Sequence, residues 1–279
     1  MIIKRMPYTG AKSIATYLLQ LLICSLLAHS VAQAAPRANA IDFWDDSEEQ
    51  SELKIDYSAW EEILEKYVVT DHASNVNRFN YGGMLEADKT ALDNFILYMQ
   101  QMDPRQLTKQ RQKAFWLNLF NAGMIQEIAL EDQPQSSIKE KGSRLWRKKR
   151  FYITMQEMSF DDIEHGILRP IFNDPRVHFS LVAGTVGSGR IIKSAFSGEN
   201  VEQLLEENTK EFLSHERGFS YKDGKLFLSQ IFKWYQKDFG TNFKAVKNFI
   251  RPYVSEENAA VLIKSKRASY QYDWALNRP

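Results

Sequence analysis

Apolar residues recur at helical spacing through several parts of the chain. They predict a helix from Asp56 to Tyr67 and a second one over residues 86–101. The stretch from Ala114 to Leu130 is apolar on nearly every side, which predicts a central buried helix. The same spacing predicts later helices over residues 200–214, 229–237, 242–251 and 256–264.

Shorter segments predict strands, over residues 151–153, 177–183 and 225–228. Ser159 and Asp162 have the spacing of a capping box and predict the start of a helix that ends near Arg169. No long linker rich in Gly, Ser or Pro divides the chain. The expected fold class is therefore α+β, a predominantly helical single domain with a small β-sheet.

The first 34 residues have the features of a secretory signal peptide. Three basic residues and no acid precede an apolar run over residues 18–28, and small residues follow at 32–34. Cleavage is predicted after Ala34, which implies a periplasmic or secreted protein. The alternative is an uncleaved anchor, which the short apolar run and its interruption by Gln20 disfavour. No stable membrane insertion is expected once the leader is removed.

Cleavage changes the chemistry that remains. The leader contains three of the 36 Lys and Arg residues and none of the 35 Asp and Glu residues, so the net charge becomes −2. It also contains Cys24, the only cysteine, so the mature chain has no thiol for catalysis, metal binding or redox chemistry. The charge gives no electrostatic case for nucleic-acid binding. Residues 35–54 are predicted to be a flexible N-terminal lead and residues 55–279 to form the domain.

Two asparagines interrupt the most apolar helix. Asn118 and Asn121 are three residues apart and therefore lie on one face. A buried amide without partners costs about 1–3 kcal/mol, so each side chain needs specific hydrogen bonds. The favoured interpretation is a structural network that ties the helix to loop backbone, and the alternative is the lining of a pocket.

Two histidines are candidates for acid–base chemistry. Asp161, His165 and Arg169 form one i, i+4 row, which is either a tuned group lining a cleft or a solvated helix face. On the predicted strand, His178 shares a face with Ser180. Residues two apart on a strand are separated by about 6.6 Å of rise, so these two side chains are not a ready-made nucleophile and base.

A glycine-rich loop follows the predicted strand. Residues 184–189 contain three glycines and two hydroxyls, and Arg190 and Lys193 come next. Backbone amides in such a loop can bind an anion, and the alternative is a flexible turn. The order of the glycines matches neither the dinucleotide fingerprint nor the phosphate-binding loop, and the loop is not a nucleophile elbow.

Five separated strings resemble the DUF547 family, a domain of unknown function. They lie, in order, at residues 114–121, 163–169, 174–181, 229–238 and 272–277. The resemblance implies that the family's characteristic polar positions are Asn118, Asn121, Glu164, His165, Arg169, Asp174, Arg176, His178, Asp273 and Asn277.

The chain departs from the family pattern at two cysteine positions. Where members have Asn-Cys-Ala-Ser and then Gly-Cys-Pro, this chain has Val182 to Thr185 and then Gly187 to Gly189. Any chemistry that uses those thiols is therefore excluded here. Ser188 replaces one of them only if a base activates it.

These observations lead to two main hypotheses. The first is an exported binding or accessory module whose polar cleft recognises a small anionic ligand or a protein partner, with no cofactor. The second is a hydrolase or acyl-transfer enzyme in which Ser188 attacks and His165 or His178 is the base, with loop amides or the two asparagines stabilising an oxyanion. A third is a purely structural role for the polar residues. The candidate binding residues are Asn118, Asn121, Glu164, Arg169, Arg176, Arg190, Asp273 and Asn277.

Overall fold

The computed structural model describes residues 35–130 and 137–279, which belong to one compact unit. The predicted signal peptide lies outside the described residues and stays a prediction. None of the helices in these two ranges combines the length and the apolar character needed to cross a bilayer.

Helices dominate the described residues, in agreement with the expected fold class. The α-helices are α1 (Ser58–Tyr67), α2 (Glu86–Gln101), α3 (Lys109–Ala129), α4 (Gly142–Arg147), α5 (Arg169–Phe172), α6 (Val201–Ser214), α7 (Ile231–Trp234), α8 (Gln236–Phe239), α9 (Phe243–Ile250) and α10 (Glu256–Lys264). A π-helix, Asp162–Leu168, leads directly into α5. Short 3-10 helices span Asp42–Trp44, Tyr81–Gly83, Pro104–Gln106, Ile138–Lys141, Pro175–Phe179 and Arg251–Tyr253.

The strands form small separate sheets. They are β1 (Val68–Val69), β2 (Arg78–Phe79), β3 (Phe151–Ile153), β4 (Gln156–Met158), β5 (Phe219–Lys222), β6 (Lys225–Ser229) and β7 (Ser269–Gln271). Pairs β1–β2 and β3–β4 are antiparallel, and in the third sheet β6 pairs antiparallel with β5 and parallel with β7. The hairpin register Phe151↔Met158 places both apolar side chains in the core.

Helix α3 is the centre of the larger core, as its sequence predicts. Thr108 caps it by accepting a hydrogen bond from Arg111 N–H, and nearly all of its side chains are buried. Helix α2 and the π-helix pack against it. A second apolar cluster surrounds Phe179, whose ring contacts those of Phe212, Phe232 and Phe239.

The predicted strand over residues 177–183 is wrong. Residues 175–179 form a 3-10 helix, because Asp174 accepts a hydrogen bond from Arg176 N–H at 3.0 Å and Pro175 occupies the first helical position. Nearly every residue from 177 to 182 is buried, so the apparent alternation of side chains did not reflect a strand. The inferred common face of His178 and Ser180 is wrong for the same reason.

The predicted capping box is present at the start of the π-helix Asp162–Leu168. Asp162 accepts from Ser159 N–H at 2.7 Å, and the Ser159 hydroxyl accepts from Asp162 N–H at 3.2 Å. The helix continues past the predicted end to Phe172 and stops at Asn173, which has a left-handed backbone with φ 46°.

Proline at position 170 explains how the N-terminal segment attaches. Pro170 has no N–H, so one helix carbonyl in the preceding turn lacks its usual donor. Asn39 N–H and Ile41 N–H donate to the carbonyls of His165 and Gly166 at 3.0 and 2.9 Å. Gly166 permits this approach, because a Cβ there would lie 2.6 Å from Ile41 Cδ1.

Residues 35–54, expected to be a flexible lead, therefore make specific contacts with the domain. Trp44 is fully buried and its ring contacts that of Trp116 on α3 at a centroid distance of 5.1 Å. The Pro36 carbonyl accepts a hydrogen bond from Arg169 Nη1 at 2.8 Å. We refer to residues 36–41 as the strap, because they cross the helix that carries His165.

Candidate functional site

The fold brings the two candidate histidines together. His165 lies on the π-helix and His178 on the 3-10 helix Pro175–Phe179, and both rings approach the ring of Tyr235, with centroid distances of 6.2 and 4.0 Å. We call the surrounding group the two-histidine cluster, which consists of Asp161, Glu164, His165, Arg169, His178, Tyr235 and Asp238.

Asp238 on α8 contacts both His178 and Arg169, which are 60 and 69 residues away in sequence. Its Oδ2 lies 2.8 Å from His178 Nε2 and accepts from Arg169 Nε at 2.6 Å, while Oδ1 accepts from Arg169 Nη2 at 3.0 Å. Burial opposes ionisation of this carboxyl, but His178 and Arg169 outweigh it and lower the pKa of Asp238 to about 2. The carboxylate is therefore ionised at neutral pH, and His178 carries a proton on Nε2.

Arg169 donates hydrogen bonds to several groups within the protein. In addition to the two bonds to Asp238, its Nη1 contacts the Pro36 carbonyl at 2.8 Å and His165 Nδ1 at 3.0 Å. A guanidinium only donates hydrogen bonds, so His165 Nδ1 is an acceptor and the proton of the neutral ring lies on Nε2. That nitrogen is 3.7 Å from Asp161 Oδ1. The expected i, i+4 row of Asp161, His165 and Arg169 thus exists, and His165 is buried within it.

Glu164 lies between the two imidazoles. Its Oε1 is 3.9 Å from His165 Nδ1 and 3.8 Å from His178 Nδ1, distances longer than hydrogen bonds. Burial raises the pKa of Tyr235 well above its ordinary value. The charge of Glu164 and its hydrogen bond with Tyr235 raise this pKa further. The phenol therefore stays protonated and faces this carboxylate.

Acidic groups outnumber the permanent cation in the cluster. Within the cluster, three acidic side chains accompany one arginine. Burial raises the pKa of Asp161, His165 and Arg147 oppose this effect, and Glu164 adds to it. The histidines and Arg169 are buried, whereas Asp161, Tyr235 and Asp238 reach the surface in part. The arrangement favours a group that donates hydrogen bonds or carries positive charge, because such a group offsets the excess of carboxylates.

Asn118 and Asn121 lie outside the two-histidine cluster, and their side chains form hydrogen bonds with backbone groups. Asn118 donates to the Phe196 carbonyl at 2.7 Å and accepts from Phe196 N–H at 3.0 Å. Asn121 donates to the Ser180 carbonyl at 3.0 Å and accepts from Val182 N–H at 2.9 Å. The favoured interpretation, a network that ties α3 to loop backbone, describes these contacts.

Four of the six amides in the glycine-rich loop already have backbone partners. The N–H groups of residues 186–189 all donate to backbone carbonyls, at distances from 2.9 to 3.2 Å. The hydroxyl of Ser188 is buried and donates to the Thr185 carbonyl at 2.8 Å. Within the described ranges, neither His165 nor His178 forms a hydrogen bond with Ser188.

The remaining candidates lie in separate networks. Arg176 pairs with Asp174 and with Glu202 and Glu206 on α6. The Arg190 backbone N–H donates to the Phe179 carbonyl. Asp273 and Asn277 attach the C-terminal tail to the domain through hydrogen bonds. The Asp273 carbonyl accepts from Gly187 N–H, and Asn277 Oδ1 accepts from the Tyr81 hydroxyl at 2.6 Å.

Sequence reasoning missed Tyr235 and Asp238. Both lie in the string at residues 229–238 that carried part of the family resemblance, so a signal was present. The string alone did not indicate that its last acid contacts residues 169 and 178. Within residues 35–130 and 137–279, no group of three or more His, Cys, Asp or Glu side chains is arranged to hold a metal ion.

Comparison with protein families gives one match. Residues 104–213 match the model described as "Protein of unknown function, DUF547". This range contains α3, the π-helix and His178, and it ends before Tyr235 and Asp238. Comparisons with curated proteins and with solved structures give no match.

Proposed function

We propose that this chain, which carries a DUF547 domain, is a binding protein whose two-histidine cluster takes the amine, guanidine or other hydrogen-bond-donating group of a small ligand. The observation that carries the proposal is the position of Glu164. Its buried carboxylate lies between two imidazoles, at distances of 3.8 and 3.9 Å that leave it without a hydrogen bond from either ring.

The hydrogen-bond donors of the two-histidine cluster are largely in use, which favours a cationic ligand group over the anionic ligand expected from the sequence. Arg169 is the permanent cation of the cluster, and Asp238, Pro36 and His165 already accept its hydrogen bonds. An incoming carboxylate would meet three acidic side chains, and four of the five N–H groups of Arg169 already have partners within the protein. An ammonium group would instead pair with Glu164 at the partly open rim formed by Asp161 and Tyr235.

The serine-hydrolase alternative lacks an activated nucleophile in this geometry. The Ser188 proton is directed at a backbone carbonyl, and the amides of residues 186–189, including that of Ser188 itself, already donate to backbone carbonyls. We expect no labelling of the native protein by a fluorophosphonate probe. Labelling that disappears in Ser188→Ala would restore the hydrolase hypothesis.

Export also belongs to the proposal. The basic start, the short apolar run and the small residues before Ala35 support a secretory signal. N-terminal sequencing of the protein purified from its native host should begin at Ala35. A sequence that begins at Met1 would contradict cleavage.

Isothermal titration with ethylammonium, methylguanidinium and acetate tests the binding function. We expect the two cations to bind and acetate not to bind. Glu164→Gln should weaken binding of the cations at least tenfold, because the amide removes the central negative charge. Glu157→Gln, on the exposed strand β4, is the matched control and should bind as wild type does. Equal binding by Glu164→Gln and wild type, or tighter binding of acetate, would contradict the proposal.

A further inference from the structure

A buried arginine outside the two-histidine cluster lacks a counter-ion. Arg78 on β2 is only 6% exposed. Its Nη2 donates to Ser74 Oγ at 2.9 Å, but its Nη1 is buried without a hydrogen-bond partner. No acidic side chain in the described parts of the chain forms an ion pair with it. A buried guanidinium in this state has a desolvation cost that its surroundings do not offset.

A second arginine with an unused donor lies near Arg78. Arg217 is 8% exposed and binds Glu211 through Nη1 and Nη2, while its Nε is buried without a partner. Arg78 and Arg217 are linked through Ser74 and His215: Ser74 Oγ accepts from Arg78 Nη2 at 2.9 Å, the Ser74 carbonyl lies 3.0 Å from His215 Nε2, and His215 Nδ1 accepts from Arg217 N–H at 3.1 Å. Burial lowers the pKa of Arg78, the charge of Asp273 raises it and the charge of Arg217 lowers it. Two positive charges thus share this region: Glu211 binds Arg217 directly, whereas Asp273 acts on Arg78 through its charge alone.

His215 and Asp273 complete the surroundings of Arg78. His215 Nδ1 accepts from Arg217 N–H, so its Nε2 donates to the Ser74 carbonyl at 3.0 Å, and both ring nitrogens are used. Asp273 raises the pKa of Arg78 through its charge without forming an ion pair, and its Oδ1 accepts from Ala275 N–H. Arg78 Nη1 and Arg217 Nε are therefore two buried donors without partners, and the charge of Arg78 is offset through space by Asp273 rather than by an ion pair.

We propose that Arg78 and Arg217 form a binding site for a small oxyanion, the carboxylate or phosphate group of a ligand. Two guanidiniums with unused N–H groups are the donors that bind carboxylate and phosphate in proteins. Both residues are more than nine-tenths buried, so the proposal is limited to a small terminal group and excludes an extended polyanion. The site shares no residue with the two-histidine cluster, so this proposal and the proposed function can each fail independently of the other.

The experiment is calorimetric titration of the full chain with sodium phosphate and with sodium acetate, at constant ionic strength set with sodium chloride. We expect at least one of the two anions to bind. Arg78→Lys should weaken that binding at least tenfold, because a lysine lacks the planar fork of donors. Asp273→Asn should tighten it several-fold, because it removes the negative charge that opposes the anion. Lys225→Met, an exposed cation on β6, is the control and should leave binding unchanged.

The two anions separate the sources of the ligand group. Tighter acetate binding assigns a carboxylate, and tighter phosphate binding assigns a phosphate group. Two results would overturn the proposal: neither anion binds the wild-type chain, or Arg78→Lys binds with an unchanged dissociation constant. If Arg78→Lys does not fold, the Asp273→Asn variant decides, and unchanged affinity in that variant overturns the proposal.

Discussion

Asp238 holds His178 and Arg169 together through one carboxylate. The same group fixes the proton of His178 on Nε2 and occupies two guanidinium nitrogens of Arg169. His165 is in turn oriented by Arg169. The tautomers of both histidines therefore depend on an acid that is 60 residues from one of them in sequence.

The charge of Asp238 should stabilise the fold in a defined pH range. Its pKa falls from 3.8 to about 2 on folding, so the ionised group contributes about 2 kcal/mol above pH 4. This contribution is lost as the pH falls from about 4 towards 2. We expect urea unfolding to show Asp238→Asn less stable than wild type at pH 6, with a smaller difference at pH 2.5.

Asp223→Asn, on the exposed turn between β5 and β6, is the control for this measurement and should differ little from wild type at either pH. A difference for Asp238→Asn that is the same at pH 6 and pH 2.5 would contradict the described ion pair.

Asn118 shows that a polar residue in a buried helix can be wholly structural. Asn118→Ala leaves both the carbonyl and the N–H of Phe196 without partners, so we expect a loss of about 2–4 kcal/mol in the free energy of unfolding. Asn94→Ala, on an exposed position of α2, should change it by less than about 0.5 kcal/mol. Denaturant unfolding measures both, and a loss for Asn118→Ala no larger than the control's would contradict the structural role.

At the scale of elements, the π-helix and the strap depend on each other. The carbonyls of residues 165 and 166 accept hydrogen bonds from the strap, and the strap carbonyl of Pro36 accepts one from Arg169. The strap therefore stabilises the turn that carries His165 and, through Arg169, its tautomer. π-helical turns are frequent at functional sites, in agreement with this position.

Gly166→Val should displace the strap. The new side chain would overlap Ile41, since even a Cβ lies 2.6 Å from Ile41 Cδ1. We expect limited proteolysis to cut residues 36–41 at least fivefold faster in this variant. Gly82→Val is the control, because a Cβ at Gly82 meets nothing within 4 Å. An unchanged cleavage rate in Gly166→Val would show that these contacts do not hold the strap.

At the scale of the whole molecule, the sequence predicted the long helices and missed several short pairings. Helix α2 has the predicted bounds, because its apolar face is periodic and one side is exposed. Residues 177–182 are all buried, so their pattern carried no information on period, and Pro175 and the Asp174 cap decided the form of this segment. Strands β1, β2 and β7 are too short to have a pattern of their own.

The same reasoning separates the predicted part of the site from the missed part. The row Asp161, His165 and Arg169 is local, so helix geometry was sufficient to predict it. Contacts of Asp238 with Arg169 and His178 join distant segments, and a single sequence contains no distance between them. Ser188 is buried because the backbone of its loop pairs with residues 273 and 275, a long-range contact that the glycine pattern of the loop does not reveal.

The most direct test of the account is long-range proton–nitrogen NMR of the imidazoles, with and without ethylammonium. We expect His165 to have an unprotonated Nδ1 and a protonated Nε2, and ethylammonium to shift the signals of His165 and His178. His72 and His215 are internal controls whose signals should not move. A proton on His165 Nδ1, or signals of His165 and His178 that do not respond to ethylammonium, would contradict a binding site at the two-histidine cluster.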